Sequence, residues 1–210
     1  MSVRNRLATF QGQSSDVPNQ ELAKELAAQQ DTESIREIVE ALWNPDPNVQ
    51  SDCIKVLYEI GYLAPALIAD YVDDFLRLLP SKNNRLIWGG MIALSTIAGL
   101  KADALFARRE VIQQAMEKGS VITLDRGIKA LADIAAQREE YRSALFPSLL
   151  EHLAHCPTKD VPQRAEKIAV AVTTQNRQAF IAVIEKRLSE MTPSQAARLQ
   201  RVIKKTEKHS

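Results

Sequence analysis

The sequence predicts an all-α protein built as an array of stacked helix pairs, and three observations predict it. Leucine returns every 37 residues at Leu57, Leu94 and Leu131, with Ile60, Ile97 and Ile134 three positions later. Small residues keep the same beat at Cys53, Gly90 and Gly127, and the facing segments repeat it at Leu42, Leu79, Met116 and Leu153. A fixed period of this length marks helical hairpins that cannot hide their own apolar stripes and so must pile up. Composition agrees: 45% of the 210 residues are hydrophobic, 25% charged and only 5% aromatic, with 7 glycines. Ala, Leu, Glu, Lys, Arg and Gln dominate, which favours helix over strand.

The elements follow in order. Residues 1–18 are polar and carry Gln11-Gly12-Gln13-Ser14-Ser15, so a flexible N-terminal leader is expected there. Val3, Leu7 and Phe10 make one stripe, but a helix that short is marginal alone. The remainder, 19–210, is expected as a single repeat domain that begins with a capping helix over 19–30. The first pair covers 32–43, with Ile35, Ile38, Val39 and Leu42 on one face, and 48–61. Asn44-Pro45-Asp46-Pro47 turns the chain between them, and Gly61 suits a helix stop. The second pair covers 65–79 and 84–98, and the third 103–118 and 121–136, hinged at Gly119-Ser120. The fourth covers 139–156 and 160–173. The last covers 177–191 and 193–205, with Thr192 as cap and Pro193 in the first helical position.

Charge and cysteine content narrow the function. The formal net charge is +1, which gives no overall field for nucleic acid or an acidic membrane. The distribution is uneven: 16–80 holds 13 acidic against 4 basic residues, while 176–210 holds 8 basic against 3 acidic ones. Two cysteines, Cys53 and Cys156, make no disulfide framework, and Cys53 falls at a core phase. No apolar run near the N-terminus resembles a secretion signal, and no stretch approaches the roughly 18 apolar residues of a membrane span. A cytoplasmic protein is expected.

Particular residues refine the class. Asp46-Pro47-Asn48-Val49-Gln50, followed by Cys53 and Leu57, resembles the start of the second helix of a HEAT repeat. Asp160-Val161, with Ala165 and Ala169, resembles it again, and Pro147 is similar to the proline of HEAT first helices. The resemblance covers roughly 32–173, and more loosely the final pair. It implies a right-handed α-α superhelix, a HEAT/ARM-like α solenoid of about five helix pairs, of a class that mostly binds proteins or peptides and includes a few enzymes. The 37-residue period is shorter than the ~40–47 of such units. The third repeat has Leu124-Asp125-Arg126 in place of Asp-Val, and in the fourth Ile168 fits the strict period while Ala169 fits the motif. The tetratricopeptide pattern is absent.

In solenoids of this type the second helices line the concave surface. Helical geometry then puts Asn48, Asp52, Lys55 and Glu59 on the open face. One period on, that face holds Arg85, Gly89, Ile92 and Thr96, and the next holds Ile122, Arg126, Lys129 and Asp133. The fourth is near Lys159, Gln163 and Glu166. Trp88 flanks the least polar part, and Trp beside Arg is a common interface anchor. Gly89 has no packing reason visible in the sequence, although glycine inside a helix costs about 1 kcal/mol relative to alanine. The expected partner-binding set is Arg85, Trp88, Gly89, Ile92, Arg126 and Lys129. The competing reading packs Trp88 between repeats.

Other clusters carry weaker signals. Asp70, Asp73 and Asp74 share a helix face but lack the loop oxygens of a calcium site. His152, His155 and Cys156 amount to half a zinc site near Glu151, with no second half. Histidines also suit a helix C-terminus. Arg198, Arg201, Lys204, Lys205 and Lys208 form a basic end. No phosphate loop, nucleophile elbow or metalloprotease helix is present.

No cofactor and no catalytic residue is expected. The expected function is a non-enzymatic scaffold or adaptor that holds a protein or peptide, with the oligomeric state open. The alternative is a DNA-binding HEAT-like protein related to alkylation-repair glycosylases, for which Trp88, Asp125, Arg126 and Lys129 are the candidates. That alternative keeps enzymatic activity open, but a net charge near zero speaks against it.

Overall fold

The expected order of helices is present, although the segment expected as one helix over 65–79 is two 3-10 turns and a short helix, and the one over 103–118 is split in two. The computed structural model describes residues 2–208, with side chains through 207. Its helices are α1 (Val17–Gln29), α2 (Thr32–Ala41), α3 (Pro47–Leu63), α4 (Val72–Leu78), α5 (Asn84–Ile97) and α6 (Ala102–Phe106). They continue with α7 (Arg109–Lys118), α8 (Val121–Ala135), α9 (Glu139–His155), α10 (Val161–Ile168), α11 (Arg177–Arg187) and α12 (Pro193–Lys208). No strand occurs among the described residues. Asp31, Asp46 and Asn83 cap α2, α3 and α5 by accepting the amides of Ser34, Asn48 and Arg85 at 2.8–3.0 Å. At α12 the cap is reciprocal. Gln195 N donates to Thr192 Oγ1 at 3.4 Å, and Thr192 N donates to Gln195 Oε1 at 3.0 Å.

The helices group into two compact units, residues 1–127 and 128–210, divided inside α8. In the first unit α1, α3 and α5 pack side by side, while α2 packs on α3 and α4 on α5. In the second, α9 packs on α11 and α10 on α12, with α9–α10 and α11–α12 as the hairpins. The periodic residues Leu57, Leu94, Leu131, Ile60, Ile97 and Ile134 are all 0–1% exposed. In the fourth repeat the strict period wins: Val161, Ala165 and Ile168 are fully buried, and the chain tightens into a 3-10 turn at Ala169–Ala171. Cys53 is buried, and burial pushes its thiol up to about 12, so it stays a small protonated hydrophobe.

The stretch expected as a flexible leader has its own contacts. It makes 3-10 turns at Val3–Arg6 and Thr9–Gln11 and buries Val3, Leu7 and Ala8. Asp52 accepts the Thr9 amide at 2.8 Å and the Asn19 side-chain amide at 2.8 Å, and Asn19 Oδ1 accepts the Ala8 amide at 3.0 Å. Arg6 grips Glu25 at 2.6 Å, and Ser2 donates to Glu37. The helix that follows starts at Val17, with Pro18 in its first turn. The signal missed was Asn19–Asp52, a buried polar pair that holds the turn by hydrogen bonding beside the buried Val3 and Leu7.

Two glycines behave differently from expectation. Gly61 does not stop α3, which runs on to Leu63; a Cβ there would lie 2.3 Å from Thr96 Oγ1. Gly89 does have a packing reason: its Cβ would lie 2.7 Å from Ile54 Cγ1. Gly90 faces the other way, 3.1 Å from Leu78 Cβ of α4. The adjacent glycines therefore let α5 press on α3 and α4 together. Gly89→Ala is expected to lower stability by about 1–3 kcal/mol through overpacking, against the ~1 kcal/mol it gains in helix propensity. Urea unfolding of Gly89→Ala, Ile54→Ala and the double variant measures the coupling, and the double variant should be less destabilised than the sum of the singles.

Candidate binding surface

The close approach of α3 and α5 brings aromatic side chains from both helices into one row. Tyr58 of α3 and Trp88 of α5 have ring centroids 6.0 Å apart, tilted by 54°. Tyr62, one turn further along α3, meets Tyr58 edge-on at 6.1 Å. Tyr58, between the other two, is buried, while Trp88 is half-buried and Tyr62 47% exposed. Aromatic surface held rigid at its centre and accessible on its flanks suits recognition, because little conformational entropy is lost when it is covered.

Charged groups frame the row, and each has a partner. Lys55 Nζ lies 5.0 Å from the Tyr58 centroid, 2.7 Å from Glu59 Oε1 and 3.8 Å from Asp16 Oδ2. Asp16 Oδ1 in turn lies 3.9 Å from Arg85 Nη2. The Arg126 guanidinium sits 5.6 Å from the Tyr62 ring, with Asp125 4.0 Å away. Burial pushes the phenols of Tyr58 and Tyr62 above the usual tyrosine value, opposed by Lys55 at the first and Arg126 at the second. Burial pulls the Lys55 ammonium down, but hydrogen bonds to Glu59 and Tyr58 outweigh it and leave the group raised.

The expected site residues divide. Arg85, Trp88 and Arg126 join one continuous set of contacts through Asp16, Lys55, Tyr58 and Tyr62. Gly89 and Ile92 do not join it. Gly89 is buried against Ile54, and Ile92 is only 6% exposed, so neither offers surface to a partner. The reason is lateral packing: this phase of α5 meets α3, with Gly89 against Ile54 and Thr96 against Gly61, and Arg85 at the helix start stays exposed. Lys129 belongs to the second unit and bonds Asp133 at 2.6 Å. Tyr58 and Tyr62 were missed, although an i, i+4 pair of tyrosines after Lys55 at i−3 is a legible signal.

The remaining clusters resolve into structural roles. Asp70 pairs with Lys101 and Asp73 with Arg108, each at 2.6 Å, while Asp74 accepts the Trp43 indole N–H at 3.3 Å. His155 Nδ1 is 3.0 Å from the Glu151 carbonyl oxygen, and Cys156 donates to the Leu153 carbonyl. Among the described residues no group of three His, Cys, Asp or Glu side chains is placed to hold a metal ion, and no helix is long and apolar enough to cross a membrane. At the basic end Arg198 is bound to Glu166, and the side chain of Lys208 lies outside the described residues.

Trp88→Ala should keep helicity and lower stability by about 1–2 kcal/mol, less than the ~3–5 kcal/mol of a fully buried aromatic. A loss in the upper range on urea unfolding would assign Trp88 to the core. The raised tyrosines contribute stability that is fully present below their unfolded value of about 10 and is lost as pH rises through the folded values. Unfolding free energy should therefore decline above about pH 10. In an ultraviolet absorbance titration, Arg126→Ala should move Tyr62 ionisation to still higher pH.

No family model and no curated relative matches the chain. Solved structures do. An engineered protein shares 19% identity at a TM-score of 0.68, covering 100% of this chain and 98% of its own. A designed armadillo repeat protein in complex with a (KR)4 peptide shares 13% identity at a TM-score of 0.64, covering 87% and 86%. The karyopherin Kap121p shares 16% identity at a TM-score of 0.63, where the chain spans 90% of itself but 22% of Kap121p. The fold of this chain is that of a HEAT/armadillo-type α solenoid.

Proposed function

We propose that the protein is a non-enzymatic scaffold that binds an extended peptide segment of a partner across the open face of α3, α5 and the start of α8. The observation that carries this reading is the row Trp88–Tyr58–Tyr62, with a buried centre and accessible flanks, framed by Arg85, Lys55 and Arg126. Trp88 and Tyr62 act as anchors, and Arg85 and Arg126 orient the segment. A designed armadillo protein of similar fold was solved with a peptide bound, which supports the class of partner and leaves its identity open. The local pairing of Lys55 with Glu59, Arg126 with Asp125 and Lys129 with Asp133 speaks against duplex DNA, whose binding needs cations free to neutralise phosphates.

Selection from a displayed random-peptide library against the folded protein tests the proposal. Enriched peptides should bind the wild type, and Trp88→Ala and Tyr62→Ala should each weaken binding about tenfold or more, the effect of a ~1.4 kcal/mol hot spot. Circular dichroism confirms that both variants remain folded. Enriched peptides that ignore Trp88→Ala, Tyr62→Ala and Arg126→Ala alike would place binding elsewhere and sink the reading.

A further inference from the structure

The N-terminal segment reaches the aromatic row through one acidic residue. Asp52 of α3 pins both ends of a loop: one carboxylate oxygen accepts the Thr9 amide and the other the Asn19 side-chain amide, each at 2.8 Å. Between those anchors residues 10–17 are all exposed, and Gly12 at φ 65° reverses the chain. The loop delivers Asp16 to two cations from different helices. Oδ2 lies 3.8 Å from Lys55 Nζ of α3, and Oδ1 lies 3.9 Å from Arg85 Nη2 of α5. Neither approach is short enough for a hydrogen bond, and the Asp16 side chain stays 47% exposed. Lys55 is also held by Glu59 at 2.7 Å, whereas Arg85 has no ion-pair partner but Asp16 among the described residues. These four charges balance, and withdrawal of Asp16 leaves Arg85 uncovered. Lys55 precedes Tyr58, and Arg85 precedes Trp88, by one helical turn, so the two cations lie beside the row.

We propose that Lys55 and Arg85 form a seat for an acidic side chain of the partner segment, and that Asp16 is the seat's internal occupant, displaced on binding. The inference rests on the aromatic row as the binding surface. The chain's own carboxylate shows which chemistry the two cations accept. Asp16 holds them by charge alone, from a loop exposed throughout, so its grip is weak. A partner Asp or Glu that reaches Arg85 directly adds charge-assisted hydrogen bonds that Asp16 does not make. Trp88 and Tyr62 supply the affinity. Exchange at the seat then admits segments with an acid at the Trp88 end and penalises those with a base there.

Peptides enriched by display selection on the wild type, synthesised with a fluorescent label, test this by anisotropy. They should carry Asp or Glu at a constant position. Changing that residue to Asn or Gln should weaken binding about fivefold or more. Asp16→Asn in the protein should tighten the acidic peptide about two- to fivefold, the effect of removing an exposed ion pair from competition. Arg85→Gln should erase the preference for acid over amide and keep the dependence on Trp88. Both variants change exposed side chains, and asparagine suits the start of α1 as well as aspartate does, so circular dichroism should be unaltered. Peptides that need Trp88 and Tyr62 but show no acidic preference, bind Asp16→Asn no more tightly, or keep the preference in Arg85→Gln would overturn the seat and leave the aromatic row standing. Peptides indifferent to Trp88→Ala and Tyr62→Ala would overturn both.

Discussion

The approach of α3 to α5 is the contact on which the first unit depends. It is made possible by missing atoms: no Cβ at Gly61, where Thr96 Oγ1 would be 2.3 Å away, and none at Gly89, where Ile54 Cγ1 would be 2.7 Å away. Two adjacent glycines inside α5 each cost about 1 kcal/mol of helix propensity. Burial offsets this: Ile54, Leu57, Phe75 and Leu94 are all 0–1% exposed around the junction, and each fully buried side chain of this size contributes roughly 1.5–3 kcal/mol. The same approach sets Tyr58 and Trp88 at stacking distance. Core packing and the candidate surface are thus two faces of one contact, and a change that separates the helices disturbs both.

Around that junction, polar groups fix what apolar packing leaves loose. On the outer layer of the first unit, Asp70–Lys101, Asp73–Arg108 and Asp74–Trp43 link successive repeats, and the Arg77 guanidinium lies 4.0 Å from the Trp43 ring centroid. These contacts are exposed and individually weak. The second unit uses arginine differently. Arg187 donates to the carbonyls of Leu153, Ala154 and Cys156 at 2.7–3.1 Å, Arg142 to those of Ala136 and Ala171, and buried Arg164 to that of His152. The last carbonyls of a helix have no partner within it, and a guanidinium satisfies several at once. Histidine and cysteine near the end of α9 are there for packing and backbone bonds.

Periodicity made the hairpins legible, because a buried leucine every 37 residues is a property of spacing alone. It also placed Gly90 and Gly127 correctly, against Leu78 and Met116 of the preceding outer helices. What it could not show is side-to-side packing within a layer. Gly89 and Ile92 look outward on a helical projection that ignores neighbours, and become buried once α3 lies alongside. Residues 2–18 escaped for a related reason: their anchor is Asn19–Asp52, two polar residues 33 positions apart whose pairing has no period. Trp88 and Arg126 were found because their residue types suit interfaces. Tyr58 and Tyr62 were overlooked because one sits at the edge of the core and the other beyond the expected helix end.

Charge pairing decides what kind of recognition each surface can offer. On the aromatic row every cation already leans on a carboxylate, so an arriving group must displace Glu59 from Lys55 or Asp125 from Arg126 before it gains a contact of its own. Such exchange returns little net affinity but strongly penalises a partner whose charges fall in the wrong order, since it leaves groups unpaired. On the proposed reading, affinity at that face comes from covering Trp88 and Tyr62, and selectivity from the pairs around them.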